Sequence, residues 1–555
     1  MSDSAQAIAS TIAEHWAVPG GIVVAVDRHR ELFSHRFGQA DVSAGIPVAA
    51  HHLFEIGSIS KVFNAIAILQ LARRNLVRLD EPLGAVLDWL PEPLRADGIT
   101  IERLLTHTAG LVASVEALPD ELGQVAMFAG SVSSAAPGTF FHYSNLGFLL
   151  LGLVAHEVSG RRIVDLVREH ILEPLEMTST IACVTHADYA LLARGYQALR
   201  DDQPWGPGDA LVQAPWLEVS GADGNIASTA SDMAIFARML LGRGTLNHTT
   251  ILEPREFATM VGSTAPTGED VLSLAGVPAT ETSRYGLGIN VEQVAGRTVL
   301  SHGGGMVGYA SFLLADLDDG IAVCVLTNAN GDSPIAEAIA RSVAAELKTP
   351  GSVDTAGLLP QWWPASVEQE GYLGEFVDTD ANPERPQSIR ITVEERARDR
   401  VRLAIEFAGS REPLLRTWTR GAVVRNPAMA RFSLTFRDDA WHWGPQTFSR
   451  AGASTATSTD LSTTELESFC GHYRSYTPWF TNFRVVLRQG RLVLIAPGGV
   501  EAPTDDSELV PLSSRTFRIG ADPQLPEQIT FGPPVNGTTP WVVRDGCHYS
   551  RAFTD

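Results

Sequence analysis

Apolar residues recur at two different periods along this chain, and the period changes near residue 350. Upstream, helix-spaced runs alternate with short continuous ones. Ile8, Ile12 and Trp16 mark one face of an opening helix, closed by Pro19-Gly20-Gly21. Residues 22–26 read as a strand, with 32–37 its partner across a polar turn. Val62, Ile66 and Leu69, flanked by Phe63, Ala67 and Leu71, predict a helix from Ser58 to Leu71. Further helices are predicted to start at 86–90 and to cover 100–105, 146–158 and 161–172, the last ended by Pro174. Another spans 233–241, capped by Thr229-Ala230-Ser231-Asp232. Residues 202–215, rich in Pro, Gly and Asp, read as loop, with Trp205 and Trp216 either lining a cleft or packing. The stretch 262–282 has no period and reads as an exposed excursion. Residues 310–315 and 321–327 form a hairpin signature entered through glycines, and 334–347 a closing helix.

Downstream the spacing is that of strands: 389–393, 401–407, 432–436, 483–487 and 492–495. Tyr372-x-Gly374-x-Phe376 is echoed by Phe469-x-Gly471-x-Tyr473, each opening such a region. The division expected is 1–347, a Pro- and Gly-containing linker at 348–365, and two related all-β domains at 366–460 and 465–555. The Ser-, Thr- and Ala-rich run 451–464 joins the two.

Composition narrows the partners. A length of 555 residues needs more than one core, and 45% apolar with 19% charged residues describes a globular chain. A formal charge of -22 argues against nucleic acid or an anionic membrane, because phosphates would be repelled. Four scattered cysteines, at 183, 324, 470 and 547, suggest neither a disulfide framework nor a zinc site. No apolar run approaches the about 18 residues of a membrane span. Asp3 and Glu14 interrupt the N-terminal region, which has neither the basic start nor the apolar core of a signal peptide, so the expected location is cytoplasmic.

Three stretches carry candidate chemistry. Ser58-Ile59-Ser60-Lys61 opens the first long apolar helix, so Lys61 lies one turn beyond Ser58 on the same face. A serine nucleophile needs such a neighbouring base, and the free amides of a first turn favour negative charge there. Tyr143-Ser144-Asn145 lies where a Pro-Gly turn region meets an apolar helix, a junction suited to holding polar groups rigidly. His302-Gly303-Gly304-Gly305 offers backbone amides that a ligand can approach closely. Each has a plainer reading: Ser58 or Asn145 as helix caps, Tyr143 as packing, His302 as a surface residue beside a bulge. His107, between threonines and ahead of Gly110, reads as a structural loop anchor.

In this order the three stretches resemble the serine β-lactamase and penicillin-binding-protein superfamily, nearest to its class C-like esterases, D-alanyl-D-alanine carboxypeptidases and D-aminopeptidases. The segments 104–111, 141–148 and 221–229 add to the likeness, which covers roughly residues 5–345. It implies an α/β (α+β) fold, an antiparallel sheet flanked by helices, and no cofactor or metal. It further implies Ser58 as acylated nucleophile, Lys61 as base and Tyr143 as proton donor to the leaving group. Asn145 would orient Lys61 and the substrate, and the Ser58 and Gly305 amides would hold the oxyanion. His302 stands where many relatives have the lysine of Lys-Thr-Gly, and Gly303 and Gly304 complete that substrate-binding stretch. Without that permanent cation and hydroxyl, carboxylate recognition weakens by about 1.5–3 kcal/mol, and poor turnover of penicillins is expected.

The C-terminal domains resemble the small barrels attached to D-aminopeptidases. From one of them a loop around Thr477 to Phe480, with its exposed-looking aromatics Trp479 and Phe480, is a candidate to reach the site. The expected function is therefore a serine hydrolase of short peptides or amino-acid amides, with D-stereoselectivity among the traits implied. A carboxylesterase or acyltransferase on the same scaffold is the alternative, and a non-catalytic binding or sensor protein the reading from another class.

Overall fold

The computed structural model describes residues 2–114, 121–128, 136–329, 334–359, 361–378, 387–418, 421–450, 463–498, 503 and 505–552. They fall into two compact units. The first comprises Met1–Gln197, Leu211–Val353 and Asp522–Glu527; the second comprises Ala198–Ala210, Asp354–Ala521 and Gln528–Asp555.

The first unit is built on an antiparallel sheet of eight strands: β1 (Gly20–Asp27), β2 (Glu31–Asp41), β3 (Ile46–Pro47), β4 (Thr280–Tyr285), β5 (Asn290–Val294), β6 (Arg297–Met306), β7 (Tyr309–Asp316) and β8 (Ile321–Thr327). Their order is β4-β5-β6-β7-β8-β1-β2-β3, which sets sequence-distant β1 and β8 side by side at the centre, Val24 opposite Cys324. Every residue of β7 is buried, as are all but the last of β1, so both faces of the central strands are covered. That is why they read as continuous apolar runs instead of alternating ones. Two helices, α4 (Ala230–Leu241) and α5 (Ile335–Lys348), supply this cover, each packing on β7 and β8. The opening helix α1 (Ser2–His15) packs on α5.

The helix after Ser58, α2 (Ser60–Arg73), is buried from Ser60 through Leu71. From Ser60 to Leu71 it shows no solvent-exposed face, as a helix enclosed by other elements requires. Its Phe63 ring stacks on Phe236 of α4 at 3.8 Å, and it also contacts α3 (Asn145–Ser159).

Several expectations shift. The helix expected to start at 86–90 lies earlier, at Leu83–Val86, behind Pro82. The single helix expected over 161–172 is an α-helix at Ile163–Val167 that widens into a π-turn at Arg168–Leu172. The glycine stretch 303–305 is no loop or bulge. It lies within β6, held by register with β7, where Gly303 faces Phe312 and Gly305 faces Ala310.

The second unit is all-β. Eight strands from Gly374–Asp378 to Gln446–Ser449 close on themselves, and Trp363–Pro364 pairs with the first two residues of Arg400–Phe407. The stretch read as a linker thus carries a strand of this sheet. Eight more strands, Gly471–Arg474 to Cys547–Arg551, form a second closed barrel. The echoed glycines, Gly374 and Gly471, each begin a strand, and the aromatics two residues on, Phe376 and Tyr473, are both fully buried. The joining run 451–462 lies outside the described residues. Trp479 and Phe480, taken from the sequence as exposed, are buried; Phe480 packs on Phe483 and Tyr549, and its carbonyl accepts from the Tyr549 hydroxyl at 3.2 Å. Of that loop only Tyr476 is fully exposed. Among the described residues no helix is long and apolar enough to cross a membrane, and no group of His, Cys, Asp or Glu could hold a metal ion.

Candidate active site

Ser58 sits in a 3-10 turn, Gly57–Ile59, that runs directly into α2. Phe54 and Glu55 pair with Ser228 and Ala227, and the Ile56 amide donates to the Ile226 carbonyl at 3.0 Å, so the chain enters this turn already clamped. Gly57 then adopts φ +52, and a Cβ there would lie 2.6 Å from the Gly305 carbonyl oxygen and 2.8 Å from its nitrogen. A Cβ on Gly304 would sit 1.9 Å from the Ile56 oxygen. Main chain meets main chain here, which only glycine permits. This contact brings β6 against the Ser58 turn.

One turn into the helix, Lys61 is fully buried. Its Nζ donates to Ser58 Oγ at 2.9 Å and to the Asp223 carbonyl at 2.7 Å. Asn64, the next turn on, donates to the Ala222 carbonyl at 2.6 Å and to Asn225 Oδ1 at 3.1 Å. The segment 222–226 therefore anchors the buried polar face of α2. The Tyr143 ring lies 5.0 Å from Lys61 Nζ, and the Phe148 ring 5.7 Å.

Tyr143 is held in an aromatic cluster. The His107 ring lies tilted against it at 4.3 Å and is 4.7 Å from Tyr285, whose ring meets Tyr143 edge-on at 6.2 Å. His107 has φ +54, an uncommon conformation for a non-glycine residue. Its Nδ1 accepts from the Ser144 amide at 3.1 Å, which puts the ring proton on Nε2. Burial, with Lys61 and His302 nearby, holds its pKa well below the ordinary value. Asn145 starts α3 and donates to the Ser114 carbonyl at 3.3 Å; its Oδ1 is buried without a hydrogen-bond partner among the described residues.

His302 is fully buried in β6. Its Nδ1 donates to the Gly303 carbonyl at 2.6 Å, so Nε2 accepts from the Tyr285 hydroxyl at 2.7 Å. Burial pulls its pKa down to about 3, with Lys61 acting in the same direction against the Gly303 bond. The ring is neutral at physiological pH and both nitrogens are engaged inside the protein. Where the sequence left its charge open, no cation stands at position 302.

A family model described as beta-lactamase matches residues 8–348. The chain belongs to the beta-lactamase family. Penicillin-binding protein 4* of Bacillus subtilis (strain 168) is 24% identical to it over 341 residues, 58% of this chain and 71% of the relative. Esterase EstB of Burkholderia gladioli is 34% identical over 182 residues, 28% of this chain and 45% of the esterase. The solved structure of D-amino acid amidase from Ochrobactrum anthropi SV3, complexed with L-phenylalanine amide, superposes with a TM-score of 0.51 at 23% identity. It covers 63% of this chain and 98% of its own, a likeness of fold.

Within this beta-lactamase-family unit, Ser58, Lys61, Tyr143, His302 and the glycines come together. Asn145 lies beside them, bonded to Ser114. Sequence reasoning passed over Asn64, Tyr285 and the Asp223 carbonyl. Asn64 had a signal: it is the one polar residue in the apolar run 62–69, on the Lys61 face. Tyr285 had none, since its partner His302 is reached only through strand pairing.

Proposed function

We propose that the chain is a serine hydrolase that forms an acyl-enzyme on Ser58 and cleaves amide bonds of short peptides or amino-acid amides. The observation that carries this reading is the buried Lys61 Nζ held 2.9 Å from Ser58 Oγ, with the Asp223 carbonyl fixing it from behind. Lys61 takes the Oγ proton as Oγ attacks the substrate carbonyl. The Ser58 and Gly305 amides receive the oxyanion. Tyr143, beside Lys61, hands a proton to the leaving amine as the C–N bond breaks, giving free amine and the Ser58 ester. Water, deprotonated by the same groups, then releases the acid and restores Ser58.

Substrate class follows from position 302. A neutral His302 whose nitrogens are both engaged offers no charge-assisted contact to a substrate carboxylate. An acyl portion without a carboxylate beside the scissile bond suits such a site better than a penicillin or a C-terminal D-alanine. A D-residue is the stereochemistry to test first, given the fold shared with a D-amino acid amidase. Ester cleavage on the same groups is the second reading, favoured by the 34% identity to Esterase EstB over 182 residues.

The test is intact-protein mass of wild type and Ser58→Ala, quenched seconds after mixing with D- and L-alanine p-nitroanilides or a p-nitrophenyl ester, while chromophore release is followed. A Ser58-dependent adduct or turnover on an anilide is expected, and the L/D ratio gives the selectivity. Turnover of the ester alone moves the assignment to esterase. Equal turnover by Ser58→Ala would overturn the nucleophile.

A further inference from the structure

Residues Asp522–Glu527 follow a strand of the C-terminal barrel, Thr516–Ile519, yet belong to the compact unit that holds the candidate site. At their end, Glu527 is nearly buried, with 9% of its side chain exposed. Its Oε1 accepts from the Ala113 amide at 2.9 Å and lies 2.6 Å from His142 Nε2. His142 is separated from it by 385 positions and is itself only 17% exposed.

These two contacts fall on two loops already tied to each other. The Ala113 carbonyl accepts from the Asn145 amide at 2.9 Å, and the His107 carbonyl accepts from the His142 amide at 2.8 Å. Ser144 Oγ donates to the Val112 carbonyl at 2.7 Å, and its amide donates to His107 Nδ1. Tyr143 thus sits between two neighbours fixed by hydrogen bonds, His142 through its main chain and Ser144 through its amide and hydroxyl. Glu527 fastens one of them, and the strand of loop opposite, with a single carboxylate oxygen. That one oxygen reaches both loops at once.

We infer that Glu527 is a positioning residue for Tyr143: it holds the 112–114 and 141–145 loops in the register that lets the phenol reach the leaving amine. The inference rests on the proton-donor reading of Tyr143 given above. Glu527 touches no reacting atom in this scheme. Its effect falls on the step that needs a proton delivered. An anilide leaves only when its nitrogen is protonated, whereas p-nitrophenolate leaves without a proton. Disturbing Tyr143 therefore slows the anilide more than the ester, while partial unfolding lowers both alike.

The experiment measures kcat/KM of the full chain on an alanine p-nitroanilide and on the matching p-nitrophenyl ester. The variants are Glu527→Ala, Glu527→Gln, His142→Ala and the double Glu527→Ala/His142→Ala, with Tyr143→Phe as reference. Tyr143→Phe is expected to lower the anilide-to-ester ratio, and Glu527→Ala to lower it about 10- to 100-fold, the range for misplaced catalytic groups. His142→Ala should fall the same way, the double variant should be no worse than the larger single effect, and Glu527→Gln should recover part of the loss. If Glu527→Ala does not fold, Glu527→Gln and His142→Ala carry the test. A ratio lowered by Tyr143→Phe but unchanged in all the Glu527 and His142 variants overturns the inference alone. A ratio unchanged in Tyr143→Phe overturns the reading beneath it, as does a wild type that turns over neither substrate.

Discussion

Replacing His302 with glutamine should flatten the acid sensitivity of the catalytic unit. The folded ring titrates near pH 3 because burial excludes its charged form, while an unfolded chain's histidine titrates near pH 6.5. Between those values the unfolded state holds more protons, so stability rises with pH. The contribution is fully present above pH 6.5 and is lost as pH falls toward 3. At about 1.4 kcal/mol per pH unit, His302 removes about 2 kcal/mol between pH 8 and pH 5. Glutamine does not titrate. At pH 8 His302→Gln should be less stable by about 1–3 kcal/mol, because the bonds to Tyr285 and Gly303 are disturbed. That deficit should shrink by about 2 kcal/mol at pH 5. His107 is pushed in the same direction but is present in both proteins, so it cancels. The assay is urea titration at pH 8, 7, 6 and 5, with opening read by hydrogen exchange in peptides covering residues 297–316. A deficit that stays constant from pH 8 to 5 would refute the neutral, buried histidine.

Glu55 should show the opposite slope. Burial raises its pKa from 4.5 to about 8, so its contribution is present below pH 4.5 and lost as pH rises through 8. Glu55→Gln should gain on wild type by about 3 kcal/mol from pH 5 to pH 8 in the same urea titrations; parallel curves would count against a protonated Glu55. Gly304→Ala places a Cβ 1.9 Å from the Ile56 oxygen and 2.4 Å from Ser311 Oγ, so β6 must move away from Ser58. A loss of about 1–3 kcal/mol in stability is expected, together with a larger loss of turnover; unchanged kcat in a folded variant would show that the close contact is dispensable.

What the sequence made legible is local or periodic. Ser58 and Lys61 meet because three residues of helix bring them to one face, and the central strands announce themselves because both their faces are buried. The glycines at 303–305 allowed the reading of a bulge, because their strand propensity is low, but register with β7 holds them within the strand. Trp479 and Phe480 misled in the other direction, sitting in a polar neighbourhood of sequence while both are buried, Phe480 against Phe483 and Tyr549. The state of His302 could not be read at all. It depends on a tyrosine in another strand and on burial, and neither is encoded near position 302. Glu527 is the extreme case, a single acidic residue with no motif around it.

The separation of Glu527 from His142 also sets an order of events during synthesis. At about 5–20 residues per second, some 385 positions take about 20–80 s to translate. The sheet is complete only at Thr327, so over about the last 200 of those positions the Ser58 turn, its lysine and the sheet behind them can already have folded on the ribosome, before Glu527 exists to reach Ala113 and His142. On the roles proposed for Ser58 and Tyr143, a nascent chain at that stage would hold its nucleophile before the loops around its proton donor were fastened by Glu527. Full efficiency on amides would then come last, well after the pairing of Ser58 and Lys61.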